Sequence, residues 1–261
     1  MALRELTWLI RVGGGILGVL FVAVNPAAAQ WLRLPVPGTP RTPDGKPHLT
    51  APAPRTPDGK PNLTGIWVVA TGKYLANLAA DGIEVPFRPE AAALYKRRQE
   101  TNSIGRPTER CLPHAVPDAA LVPYPFKIVQ TPAVTIVLFE PFMDYRQIFT
   151  DGRALPKDPQ PTWMGYSVAK WEGDTLVVDS AGFNDLTWLD DGGHPHSDAL
   201  RVTERYRRRD FGHMELQITI DDSKMYTRPW TVTVPYNLMP DTELIEYVCE
   251  NEKDLVHMVG K

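Results

Sequence analysis

The chain has 261 residues, of which 43 % are hydrophobic and 23 % charged, and its formal net charge is −3. That is enough chain for one good core or two small ones. Both signs of charge are well mixed, which excludes the clustered basic excess of a nucleic-acid-binding surface.

The first elements are not part of the fold. Arg4 and Arg11 flank the start, an uninterrupted apolar run extends from Ile16 to Val24, and Ala27, Ala28 and Ala29 follow. A charged n-region, a short h-region and a small-residue cleavage site make residues 1–29 a secretory signal peptide. The apolar run is shorter than the roughly 20 residues a membrane span needs; an uncleaved anchor is the alternative. The mature chain is expected to begin near Gln30, periplasmic or secreted, with no membrane span left. Removing Arg4, Glu5 and Arg11 takes the formal charge from −3 to −4.

An exported chain with two cysteines, Cys111 and Cys249, is most simply read as carrying one disulfide. Closing so long a loop stabilises the fold by roughly 4–5 kcal/mol in the chain-entropy model. A thiolate ligand or nucleophile is the alternative, disfavoured by an oxidising compartment.

Residues 30–62 are rich in proline and contain a duplication, RTPDGKPHLT at 41–50 and RTPDGKPNLT at 55–64. Pro-Asp-Gly is turn chemistry and the prolines favour extended backbone. The first copy reads as a tether and the second as the lead-in to a single domain over 63–261. One duplication is too few for a solenoid.

Within that domain LTGIWVVATG (63–72) reads as the first strand. FRPEAAALYKRRQETN (87–102) reads as a helix, with Pro89 and Glu90 suited to its first turn and Lys96, Arg97 and Arg98 toward its end. The proline-rich stretch that follows reads as an ordered loop pinned by Cys111. From Lys127 on, the pattern predicts antiparallel strands at 133–140, 145–150, 165–171, 175–183, 199–209, 213–222, 230–238 and 243–250. Met214, Leu216, Ile218 and Ile220 alternate with polar residues, as a half-buried strand requires. About nine short strands with tight turns predict a mainly β chain, an antiparallel β-barrel or a sandwich with one short helix. The barrel is favoured because closure removes exposed edges and can enclose a ligand.

The motifs TPDGKPNLTGIW, RCLP, FTDGR, WEGDTLVVD and HPHS, spread over about residues 56–254, resemble a widespread, uncharacterised family of exported proteins from environmental bacteria. No reaction is assigned to that family, so the resemblance carries no catalytic residue. Gly65-Ile66-Trp67, on the first strand, is similar to the Gly-x-Trp of lipocalins and implies a lipocalin-like barrel.

The candidate site centres on DDGGHPHSDALRVTERYRR, residues 190–208. With Leu200 and Val202 inward, period-two alternation turns Glu204 and Tyr206 inward as well. A carboxylate facing an apolar interior must be paired or hydrogen-bonded. An ion pair with Arg146 or Arg153 is one reading, and an acid–base carboxylate with a raised pKa is the other. His194 and His196, one residue apart, fit two ligands of a divalent metal, with Asp190, Asp191, Asp198 or Glu204 as a third. Without metal, either histidine fits general acid–base work. Trp163 and Trp188, in loops near the expected barrel mouth, are candidate pocket walls for a planar, partly apolar or sugar-like ligand. His114 after Cys111 invites a Cys-x-x-His metal reading, which a disulfide at Cys111 removes. No Gly-x-Ser-x-Gly elbow, phosphate loop or dinucleotide fingerprint is present.

Two functions follow. One is an exported small-molecule-binding barrel, with Trp163, Trp188 and Tyr206 as ligand contacts. The other is a lyase, isomerase or hydrolase in which His196, Glu204 and His194 move protons. An envelope-associated structural protein is a third class, supported by the tether alone.

Overall fold

In the computed structural model, residues 34–247 are described. Nine strands close into a barrel in chain order: β1 (Gly65–Val69), β2 (Phe126–Gln130), β3 (Val134–Phe139), β4 (Tyr145–Phe149), β5 (Tyr166–Glu172), β6 (Thr175–Ala181), β7 (Arg201–Arg208), β8 (His213–Asp221) and β9 (Trp230–Leu238). The fold is thus the barrel and not the sandwich. Three helices, α1 (Lys73–Ala76), α2 (Pro89–Glu100) and α3 (Asp118–Leu121), all lie in the long β1–β2 connection. The predicted helix over 87–102 is α2, with Pro89 in its first turn.

Two expectations about the strands are corrected. The strand β2 was not predicted, while residues 243–247, expected as part of a last strand, carry no ladder. They are tied to the barrel by side chains instead: the Glu140 carboxylate accepts the Ile245 N–H at 3.2 Å. Residues 248–250 lie outside the described chain.

The barrel is also not wholly antiparallel. Neighbours in an antiparallel barrel reverse direction at every step, so closure demands an even number of strands. Nine strands therefore need a parallel step, and it falls between β4 and β5. A parallel step needs a crossover from one end of the sheet to the other, supplied here by residues 150–165. Pro156, Pro159 and Pro161 keep that connection extended without letting it become a ladder strand.

This parallel seam is the shortest pairing in the barrel. Only Ile148↔Ser167 and Phe149↔Val168 are in register. The first half of β4 pairs with β3 on one side, as in Val137↔Arg146, and has no strand beside it on the other. The same barrel end receives the β1–β2, β3–β4, β6–β7 and β8–β9 connections. The opposite end carries the tight turns and the N-terminal segment.

Alternation fills the barrel with Trp67, Tyr206, Leu216, Ile218, Val234 and Tyr236, each 4 % exposed or less. At the turn end Trp67 lies under the Arg208 guanidinium, 4.9 Å from the ring. The Trp67 indole N–H donates to the Leu63 carbonyl at 3.0 Å, and Arg208 donates to the Asn62 carbonyl at 2.6 Å. Gly65 precedes this cluster at φ +150°, where a Cβ would stand 2.6 Å from Leu238 Cδ1. The Gly-x-Trp of the sequence is therefore the plug of the turn end. The basic run at 205–209 divides between faces as period two requires: Arg208 turns in, while Arg205 pairs with Glu172 and Arg209 with Glu215 outside.

The described part of the proline-rich segment, 34–62, is not a free tether. Its two decapeptides fold into the same turn, closed by the bridges Arg41↔Pro47 and Arg55↔Pro61. In each, the arginine grips a barrel carboxylate with two nitrogens. Arg41 takes Asp241 at 2.7 and 2.6 Å, and Arg55 takes Asp174 at 2.9 and 2.8 Å. Backbone bonds from Phe211 and Gly212 to Ala51 and Leu49 complete the docking. Arg41→Ala combined with Arg55→Ala is expected to raise the rate of limited proteolysis within 34–62 several-fold while the near-ultraviolet circular dichroism of the barrel is unchanged. Equal cleavage of both forms would contradict this docking role.

Cys111 is not a free thiol, and its expected partner Cys249 lies outside the described residues. Among the described residues no helix is long and apolar enough to cross a membrane.

Candidate functional site

Glu204 is fully buried on β7 and is the centre of a polar cluster inside the apolar barrel. Its partner is Arg146 on β4, as one of the two sequence readings had it. Arg146 Nη1 donates to Glu204 Oε1 at 3.0 Å and Nη2 to Oε2, a bidentate pair. Two further Arg146 donors go to Ser167 Oγ at 3.1 Å and Ser180 Oγ at 2.8 Å, and these hydroxyls meet at 2.9 Å. The Tyr206 hydroxyl donates to Glu204 Oε1 at 2.9 Å. Burial lifts the Tyr206 phenol well above its ordinary range, and the Glu204 charge adds to the shift. Tyr206 is therefore a fixed neutral donor. Burial alone would lower the Arg146 pKa, but the charge of Glu204 outweighs it and holds the guanidinium protonated. Every polar atom of this cluster has a partner, and Glu204 accepts three hydrogen bonds, two from Arg146 and one from Tyr206.

The two histidines have partners of their own, different from those of Glu204. His194 Nδ1 meets Asp190 Oδ2 at 2.6 Å, and the same carboxylate accepts the His194 N–H at 3.0 Å and the Leu78 N–H at 2.6 Å. The His194 ring is packed on Tyr95 at 4.4 Å and Phe87 at 5.6 Å. His196 bonds through Nε2 to Thr187 Oγ1 at 2.8 Å and through Nδ1 to the Ser197 carbonyl. Burial lowers the His196 pKa, so the ring stays neutral at neutral pH. The two histidines share no hydrogen-bond partner. Among the described residues no group of three or more His, Cys, Asp or Glu side chains is placed to hold a metal ion. The expected His194–His196 metal pair and the proton-transfer set of His194, His196 and Glu204 are thus not assembled: Pro195 separates the rings, and each is held by its own anchor.

The two tryptophans also part company. Trp188 lies under the Arg98 guanidinium at 4.1 Å. Burial brings Arg98 down to about 10, and its Nη1 is bonded to the Gly193 carbonyl at 3.0 Å. Trp188 therefore belongs to the packing of α2 on the β6–β7 loop. Trp163, in contrast, stands at the seam.

The seam opens as a slot of about 390 Å³ between the unpartnered edge of β4 and the start of β5. Its walls are the aromatic side chains Tyr145, Phe149, Trp163 and Tyr166, and Arg146 and Ser167 link it to the buried polar cluster. Phe149 and Tyr166 are stacked at 5.3 Å. Arg153 stands 3.9 Å over Phe149, with its own charge met by Asp151 at 2.6 Å. Thr162 is pinned to the end of β6 by bonds to Gly182 and Asn184, which holds Trp163 in place. Gly165 follows at φ +65°, where a Cβ would meet Phe183 at 2.7 Å, so the turn into β5 needs glycine.

Asp144, absent from the candidates read off the sequence, also lines the slot. Its Oδ2 is buried without a hydrogen-bond partner, and burial raises its pKa, against the pull of His114. His114 itself is committed to Asp118 through Nδ1. Burial would lower His114, but the charges and hydrogen bond of Asp118, helped by Asp191 and Asp144, raise it. A single acid before a short strand gives no sequence signal. Only the crossover geometry brings it beside Trp163.

No family model, curated protein or solved structure matches the chain. The fold is a closed nine-stranded barrel of lipocalin-like form with a slot at its parallel step.

Proposed function

We propose that this protein is an exported small-molecule-binding barrel whose ligand enters the seam slot between β4 and β5. The observation that carries the reading is the slot itself: about 390 Å³, four aromatic walls, and a few polar groups at its floor. That volume and lining suit a small, planar, partly apolar molecule. The signal-peptide pattern of residues 1–29 and the motifs resembling exported proteins of environmental bacteria support delivery to the periplasm or outside the cell. In that compartment Cys111 is expected to be bridged to Cys249.

Of the ligand contacts expected from sequence, Trp163 keeps its role. Tyr206 acts behind the floor by orienting Glu204, and Trp188 serves packing. Titration with the neutral fluorophore N-phenyl-1-naphthylamine tests the proposal. Enhanced emission is expected with the mature protein, and Trp163→Ala is expected to weaken binding about tenfold through lost stacking and buried area. Equal binding by the variant would remove Trp163 from the site and the slot from the account.

A further inference from the structure

We propose that the seam slot selects organic ammonium ions, with Asp144 as counter-ion and the aromatic walls as the cage. The inference rests on the seam reading and adds the charge of the ligand. Its basis is the state of each charged group in or around the slot. Arg146 is matched by Glu204 in a bidentate pair. Arg153, over Phe149, is matched by Asp151 with contacts at 2.6, 2.9 and 3.0 Å. His114, behind Pro113, is matched by Asp118. Asp144 alone among these acids has no hydrogen bond or ion pair to its carboxylate among the described residues, and its Oδ2 is buried.

An orphaned buried carboxylate oxygen carries a desolvation penalty until a donor reaches it, and a larger one when it is charged. A ligand N–H donor cancels that penalty, whereas a ligand carboxylate adds to it. The walls favour the same charge. Beyond the mutually stacked Phe149 and Tyr166, the rings of Tyr145 and Trp163 line the slot, and the negative quadrupole of a ring face attracts cations, most strongly for tryptophan. Phe149 already holds a cation over one face, Arg153 at 3.9 Å. Two independent features, the orphaned acceptor and the ring faces, therefore point to a primary or secondary ammonium group on an aryl or alkyl body.

Calorimetric titration with three ligands of one shape tests this: 2-phenylethylamine, 2-phenylethanol and 3-phenylpropionate, against the mature protein and Asp144→Asn. The amine is expected to bind at least about tenfold more tightly than the alcohol, and the carboxylate least. Asp144→Asn, a near-isosteric change, is expected to bring amine and alcohol within about twofold, chiefly by weakening the amine. Asp144→Ser, checked for its fold by circular dichroism, repeats the comparison with a second side chain. If the three ligands bind alike and Trp163→Ala weakens them all, the cation preference is overturned and the seam reading stands. An amine preference that survives both Asp144 variants overturns the role of Asp144. Binding of none of the three overturns both readings.

Discussion

Glu204→Ala is expected to lower the free energy of unfolding by about 3–5 kcal/mol, the largest effect of any polar substitution in the barrel. Its side chain is 0 % exposed and its carboxylate is held by Arg146 and Tyr206. Removing it leaves a buried guanidinium with two serine hydroxyls for company. The penalty lies in the uncompensated charge and not in the intrinsic worth of the pair, so the double variant Arg146→Met/Glu204→Leu is expected to recover most of the loss. Urea unfolding with an unchanged slope reads both changes as stability. A single variant within about 0.5 kcal/mol of the parent, a loss usual for surface changes, would contradict the buried-pair account.

Trp67→Ala is expected to cost about 3–5 kcal/mol and to lower the melting temperature by about 10 °C. Trp67 is 0 % exposed at the turn end of the barrel, its indole N–H bonded to Leu63 and its face covered by Arg208. The substitution removes the largest fully buried side chain and leaves Arg208, whose pKa burial has brought down to about 10, without its packing surface. Trp67→Phe keeps most of the volume but loses the hydrogen bond, and about half the destabilisation is expected of it. Calorimetry of the three proteins decides the matter. Equal melting temperatures for Trp67→Ala and the parent would mean that the plug carries no weight.

Much of the barrel was legible because period-two alternation is a local signal. The strands β7, β8 and β9 show it most plainly; the inward turn of Glu204 followed from alternation, and the cost of a buried charge called for a partner but left Arg146 and Arg153 both open. The missed strand β2 has only five residues and is bounded by Pro125 on one side and Thr131-Pro132 on the other, so proline masked it. Residues 243–247 carry an apolar pattern of strand type but lie against Glu140 and Lys127 through side chains, a choice that depends on neighbours distant in sequence. The seam was illegible for a deeper reason. Parity of strand number is a property of the whole circuit, and no single segment announces where the parallel step will fall. The slot exists because of that step, and so Trp163 was found on its loop position while Asp144 was not found at all. The histidines misled for the opposite reason: His-Pro-His is conspicuous in sequence, yet Asp190 and Thr187 had already engaged the two rings.

The most direct measurement of where a ligand sits is an amide nitrogen–proton NMR spectrum of the mature protein, recorded as N-phenyl-1-naphthylamine is added. The seam account predicts shifts concentrated at Asp144–Phe149 and Thr162–Ser167, with the loop over 187–198 unmoved. Shifts confined to 187–198, around His194 and His196, would place the site at the histidine loop and contradict it.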